Sequence, residues 1–340
     1  MDSLTQIILG TACGELVLGK KIGNKALLFG AIGGTIPDLD VFVGRLLYNN
    51  EIQAMVFHRG FMHSIVFAIL GSFFFGWITH KIYNTKKRTN STNLKDWILL
   101  FFWAIFTHPL LDCFTAYGTQ LFNPFSDYRV AFNTISVVDP LYTVPFLICM
   151  LIVLFFKRTN RKRLKWTKAG IYVSSVYLIF TVGNKFYIDT VFKNSFKKAG
   201  ISYHRFSAQP TILNNILWYA VAERDTQYYI TFYSLFDKSN ITDKIISISK
   251  NHGLLNMKDE NLKKLAWFSD DYFNIEKKDK IGTYKYIDLR YPMMNPDDIN
   301  TSVFNFTIFF KKNEWDILPF KGNAPKKENF KKFTTRIKGI

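Results

Sequence analysis

Cysteine is scarce. The 340 residues contain three, Cys13, Cys113 and Cys149, all inside apolar runs and with no C-x-x-C spacing. That argues against a disulfide framework and a thiolate metal cluster, and leaves buried, unreactive thiols as the reading. Acidic residues are scarce in one part of the chain only. Residues 1–188 hold nine (Asp2, Glu15, Asp38, Asp40, Glu51, Asp96, Asp112, Asp127, Asp139) against 19 Lys and Arg, whereas residues 189–340 hold 17 against 25. With 48% hydrophobic and 17% aromatic residues, the composition also excludes a disordered or collagen-like chain. The asymmetry divides the chain into a helical membrane domain over 1–188 and a water-soluble domain over 189–340.

The formal net charge is +18, which raises the question of nucleic acid. Twelve of the basic residues sit in two short stretches, Lys81–Lys95 and Lys157–Lys168, each flanked by apolar segments. That is how cytoplasmic loops of membrane proteins look, because Lys and Arg resist translocation. No nucleic-acid partner is expected.

Six apolar segments stand out, at about 4–19, 26–43, 62–80, 97–115, 140–156 and 169–187, against the roughly 20 residues a helix needs to cross a bilayer. The first two read as a tight hairpin, because Gly10/Gly14 and Gly30/Gly34 have the small-xxx-small spacing that lets helix backbones approach. The start does not read as a signal peptide: Asp2 stands where a basic region belongs. Placing Lys20, Lys21, Lys25 and the two basic loops in the cytoplasm puts residues 44–60, 116–138 and 189–340 outside. Counting along helices from those basic residues at about 1.5 Å per residue, Asp2, Asp38, His63, Asp112 and Asp139 all fall in the outer half. Ionisable groups in or near a bilayer are costly and mark function.

Four motifs carry these groups. In Thr35-Ile-Pro-Asp-Leu-Asp40, Pro37 makes an irregular turn in which the two carboxylates can converge on a dication; the same residues also read as a helix start. His58-Arg-Gly-Phe-Met-His63-Ser64 places two imidazoles just before an apolar segment, with Arg59 suited to an anionic oxygen; an interfacial polar loop is the plainer reading. In His108-Pro-Leu-Leu-Asp112, the i, i+4 spacing puts both side chains on one helix face. Both can bind one metal, or Asp112 can orient His108, or the pair can serve helix packing. The loop with Tyr117-Gly-Thr-Gln120, Arg129 and Asp139-Pro140 offers Gln120 and Arg129 as substrate contacts and Asp139 as a base or further ligand. Ser3-Leu-Thr-Gln6 fits a capping box. A donor set of His and Asp without Cys suits zinc or manganese better than copper or iron–sulfur, and a dication so held suits hydrolysis.

The runs 226–236, 244–249, 283–291 and 303–311 read as antiparallel strands, and 258–268 as an amphipathic helix. The apolar Pro210–Trp218 reads as a segment lying against the membrane surface, and Lys326–Lys338 as a solvated basic end. His204 and His252 show no partners in the sequence.

Over roughly residues 1–145, the elements Met1-Asp-Ser-Leu-Thr-Gln6, Pro37-Asp-Leu-Asp40, His58-Arg-Gly-Phe-Met-His63-Ser64, His108-Pro-Leu-Leu-Asp112, Tyr117-Gly-Thr-Gln120 and Asp139-Pro140 together resemble the YdjM-like family of bacterial inner-membrane proteins. The resemblance implies a metal-dependent hydrolase in a bacterial inner membrane. A distant similarity of that family to zinc phospholipase C implies phosphoester chemistry. Many members carry His where this chain has Gln6.

The expectation is therefore a polytopic α-helical membrane protein of about six membrane segments with a C-terminal soluble α+β domain on the periplasmic side. It would hydrolyse a lipid or other membrane-proximal ester, a phosphoester among the candidates. The expected ligands of a divalent metal, zinc before manganese, are Asp38, Asp40, His63, His108 and Asp112. His58 and Asp139 are expected to be catalytic, and Arg59, Gln120 and Arg129 to bind substrate. An ion-coupled transporter is the first alternative, since buried His and Asp also make proton relays. A non-catalytic membrane scaffold is the second.

Overall fold

Asp2 opens the first helix, α1 (Ser3–Ile22). Its carboxylate accepts from the Thr5 backbone N–H at 3.1 Å and from Thr5 Oγ1 at 2.6 Å. Asp2 is thus the cap, in place of the capping box expected from Ser3 to Gln6, and Gln6 is released for another contact. The helix turns back at Gly23, whose φ of 60° favours glycine, into α2 (Asn24–Thr35). The two pack backbone to backbone: a Cβ on Gly10 would strike the Gly30 carbonyl oxygen, and one on Gly14 that of Ala26. The small-residue spacing does here what the sequence predicts. A 3-10 turn at Pro37–Leu39 follows, and the path bends by 44° into α3 (Asp40–Leu47).

The structure is a computed structural model describing residues 1–85, 88, 91–242, 244–278, 280, 282–318 and 327–340. Lys86, Lys87, Thr89 and Asn90 of the first basic loop, and Lys326, lie outside the described residues. The helices continue with α4 (Glu51–Phe57), α5 (Ile65–Tyr83), α6 (Leu94–Asp112), α7 (Pro140–Leu154) and α8 (Lys162–Lys198). Ser64 caps α5, and Asn93 with Asp96 forms a capping box on α6. Together α5 and α6 pack as a hairpin.

About six membrane segments were expected. Among the described residues, two helices, α5 and α6, are long and apolar enough to cross a membrane, and three if the bent pair of Asn24–Thr35 and Pro37–Leu47 counts as one span. The rest fall short for visible reasons. Polar Gln6, Glu15, Lys20 and Lys21 dilute α1. At 15 residues, α7 spans about 22 Å. In α8, a long helix, the apolar stretch runs into Asn184, Lys185 and Asp189.

The chain divides into two units, Met1–Val43 with Phe57–Thr181 and Gly44–Val56 with Val182–Ile340. In the first, Arg163 is buried and holds Glu15 through two guanidinium N–H donors at 2.9 and 2.6 Å. Its remaining donors go to Asn24 Oδ1 and the Val153 and Phe156 carbonyls. A buried pair is tolerated only when its hydrogen bonds are satisfied in this way.

The second unit is α+β, as expected. Strands β1 (Arg205–Pro210), β2 (Leu217–Glu223), β3 (Gln227–Ser234) and β4 (Ile245–Ser249) form one antiparallel sheet in chain order. After α9 (Glu260–Phe268), strands β5 (Phe273–Lys277), β6 (Thr283–Asp288), β7 (Asn305–Lys311) and β8 (Glu314–Ile317) form another, and α10 (Lys327–Ile337) follows. Alternation along β2 serves two cores: Leu217, Tyr219 and Val221 pack with Ile287 and Leu289, while Trp218, Ala220 and Ala222 pack on Ile188, Phe192 and Phe196 of α8. Ile52 of α4 joins a further core with Leu262 and Tyr286. The expected membrane-surface segment Pro210–Trp218 is instead the turn between β1 and β2, with Trp218 fully buried in protein. The basic end is also more than solvated, since Phe333 is buried and Arg336 holds Asp237 by two 2.6 Å bonds. Both tail histidines have partners, His204 in Asp225 at 2.8 Å and His252 in the Phe273 carbonyl at 2.9 Å.

The glycine seam yields a test. Gly10→Leu forces a side chain into the Gly30 backbone and should destabilise the protein by about 1–3 kcal/mol or more, the cost of overpacking. Gly183→Ala, with no atom near its added Cβ, should be neutral or stabilising by up to about 1 kcal/mol. Thermal unfolding followed by size-exclusion in detergent reads both; equal melting of the Gly10 variant and the unmodified chain would refute the seam.

Candidate metal centre

Three segments of the first unit deliver the site. The turn after α2 carries Asp38 and Asp40, the turn before α5 carries His58, Arg59 and His63, and the last turn of α6 carries His108 and Asp112. His108 and His58 have their proton positions set by a neighbour that can only accept. Nδ1 of His108 donates to the Gly34 carbonyl at 2.6 Å, in the open last turn of α2. Nδ1 of His63 faces Asp40 Oδ2 at 3.0 Å, and Nδ1 of His58 donates to Asp40 Oδ1 at 2.7 Å. In the neutral rings of His108 and His58, the lone pair is then on Nε2.

The Nε2 atoms of His63 and His108 converge. They lie 3.5 and 3.4 Å from Asp38 Oδ1, and each lies 3.5 Å from Asp112 Oδ2. Asp38, His63 and His108 form a candidate metal-binding group, with ligand atoms all within 4.8 Å of one another. His63 and His108 are buried and Asp38 is partly open. Six buried polar atoms around this locus lack hydrogen-bond partners: both Nε2 atoms, Asp112 Oδ2, Arg59 Nε at 3.3 Å from that oxygen, His63 Nδ1 and Gln6 Oε1. Buried polar atoms without partners are costly, and the first three are the donor atoms that suit a dication. Tetrahedral bonds of about 2.0–2.1 Å place ligand atoms about 3.3–3.4 Å apart, close to the four His–Asp separations. The residues fit a divalent metal.

Asp40 is not in the converging group. Its Oδ2 also accepts the Arg59 backbone N–H at 2.9 Å, so its carboxylate fixes His58, His63 and the turn between them. Asp112 Oδ1 accepts from the Met1 amino group and from Gln6 Nε2, the latter at 3.0 Å. Gln6 also donates to the His108 carbonyl at 3.2 Å. Arg59 is buried, donates to Thr115 Oγ1 at 3.0 Å, and lies 4.6 Å from the centre of the Tyr117 ring. Burial lowers the pKa of His58 below 6.5, despite the opposing pull of the Asp40 carboxylate, which favours the neutral ring at pH 7.

The other expected residues are held by contacts outside the converging group. Arg129 donates to the Tyr117 and Gly118 carbonyls at 3.1 Å, and Gln120 Oε1 accepts from Asn123 at 3.1 Å. Asp139 caps α7, accepting from the Leu141 N–H at 3.0 Å and the Tyr177 hydroxyl at 2.9 Å. Sequence reasoning missed Gly34, Thr115 and the roles of Gln6 and Met1. Of these, only Gln6 had a visible signal, as an amide near the start of an apolar helix with a simpler explanation at hand.

A hairpin of apolar helices closing on Asp and His ligands at one end defines a membrane protein with a candidate metal site. Residues 1–187 match the family model described as YdjM inner membrane protein, and the chain belongs to that family. It is 32% identical over 147 residues to the uncharacterized protein YfhP of Bacillus subtilis (strain 168), a match covering 41% of this chain and 42% of that protein. The matched stretch thus spans well under half the length of that curated relative. No solved structure matches.

Metal analysis of purified, metal-loaded protein tests the centre. His63→Ala and His108→Ala should each lose the bound dication, whereas Asp40→Asn should retain a site weakened about 10–100-fold, as expected for a residue that orients a ligand. Unchanged content in both histidine variants would remove the metal centre.

Proposed function

We propose that this protein is a metal-dependent hydrolase of a membrane-proximal ester, with phosphoesters as the favoured class. The observation that carries the reading is the set of buried, unpartnered acceptors at His63, His108 and Asp112 beside a buried arginine. In this reading Asp38, His63, His108 and Asp112 hold the dication, zinc or manganese by donor type. Asp112 also balances the charge of Arg59. A dication held there supplies Lewis-acid polarisation of a phosphoryl or carbonyl oxygen.

The protein's own groups do the rest. Arg59, stacked on Tyr117 and tethered to Thr115, presents a fixed cation to an anionic substrate oxygen. His58, its Nδ1 proton held by Asp40, accepts or returns a proton at Nε2. Gln120 and Arg129 hold the loop carrying Tyr117 and reach substrate through it. The basic segments Lys81–Lys95 and Lys157–Lys168 support a multi-pass chain with this site and the residues beyond 189 on the outer face of a bacterial inner membrane.

The test is incubation of detergent-solubilised, zinc- or manganese-loaded protein with a panel of phosphodiesters and carboxylic esters. Hydrolysis should depend on metal and vanish in His108→Ala. His58→Gln should slow turnover by about 100-fold or more with metal retained. No turnover of any substrate, with metal bound, would overturn the reading.

A further inference from the structure

The segments that bury the site residues expose large apolar side chains between them. Leu39 separates Asp38 from Asp40, and Phe42 follows one turn later. Phe61 lies between Arg59 and His63, and Phe122 comes two residues after Gln120. All four are exposed, Phe42 at 64%, and Phe125 beyond them at 85%. The loop carrying Phe122 and Phe125 is tied to the site by two backbone bonds, Gln120 N–H to the Arg59 carbonyl at 3.1 Å and Ile65 N–H to the Leu121 carbonyl at 3.0 Å. The polar centre therefore has an apolar rim.

Two observations say what covers this rim. The exposed apolar face of α5, with Ile69, Phe73 and Trp77, begins immediately past His63, and a 19-residue helix of about 28 Å nearly matches the hydrocarbon thickness. With α5 as a span, its start, and so the site, would fall at the lipid–water boundary. Charge agrees: Lys81 and Lys95 lie at the far ends of α5 and α6, whereas Arg59 at the near end is buried. Aromatic side chains concentrate at such boundaries.

We propose that the rim of Leu39, Phe42, Phe61, Phe122 and Phe125 sits in the bilayer interface, and that the site is loaded from the leaflet by an amphiphile carrying a phosphate-bearing head. The head reaches Arg59 and the metal-binding group, while the hydrocarbon stays in the bilayer against the rim. The choice of head rests on the hydrolase reading; the placement of the rim does not.

The full chain in phosphatidylcholine–phosphatidylglycerol liposomes tests the placement. Phe125→Cys is labelled with an environment-sensitive fluorophore, the three native cysteines being buried. A lipid with a nitroxide near the head of its acyl chain should quench the label, and aqueous iodide should not. Lys238→Cys, exposed in the second unit, is the control. Quenching by iodide alone, or shielding from both quenchers as under a protein partner, would overturn the proposal.

Turnover tests the loading. The metal-loaded protein receives two phosphodiesters with the same head, one long-chain in vesicles and one short-chain in water. Phe42→Ser and Phe125→Ser should each lower the ratio of vesicle to soluble turnover about tenfold, as the loss of one buried aromatic contact implies. An unchanged ratio refutes lateral loading. If the unmodified chain turns over neither ester, the hydrolase reading fails and the quenching result still decides where the rim lies.

Discussion

The contact on which the site depends is the glycine seam between α1 and α2. Gly10, Gly14, Gly30 and Gly34 let two backbones meet where any Cβ would strike a carbonyl. Gly33 extends the same economy toward α6, since its Cβ would lie 2.7 Å from that of Ala104. With α2 held this close, its last turn brings the Gly34 carbonyl onto His108 and the Pro37 turn brings Asp38 over the same imidazole. A helix end normally leaves carbonyls without partners; here one of them sets which nitrogen of a histidine faces the metal-binding group.

The carboxylates divide the work. Asp38 faces the two Nε2 atoms, Asp40 stands behind His63 and His58, and Asp112 collects Gln6 and Arg59. One carboxylate can orient two imidazoles because it has two oxygens and accepts only. This couples a buried histidine facing the candidate metal group to a half-buried one packed against the Tyr117 ring. Lewis-acid chemistry and proton transfer would then share a single orienting group.

Membership in the YdjM inner membrane protein family agrees with the apolar hairpin of α5 and α6. The matched range, residues 1–187, includes every residue that builds the polar end of this hairpin. The second unit has its own cores and carries none of the metal-binding group.

Much of this was legible in the residues. Small-xxx-small spacing announced the α1–α2 approach, because only glycine permits it, and the i, i+4 pair of His108 and Asp112 announced one helix face. Four strands and α9 followed from alternation and amphipathicity. The number of spans was overestimated, because polar residues dilute α1, α7 is short and the apolar stretch of α8 runs into charge. Trp218 was misplaced because apolar composition alone does not separate a segment facing lipid from one buried in protein. Which carboxylate faces the metal group and which orients a histidine was not legible either: Asp38 and Asp40 are two residues apart in sequence. Only the 3-10 turn at Pro37, seen against α5 and α6, sends them to opposite sides of His63. Local spacing determines which groups can share a face, while partners distant in sequence decide what each lone pair meets.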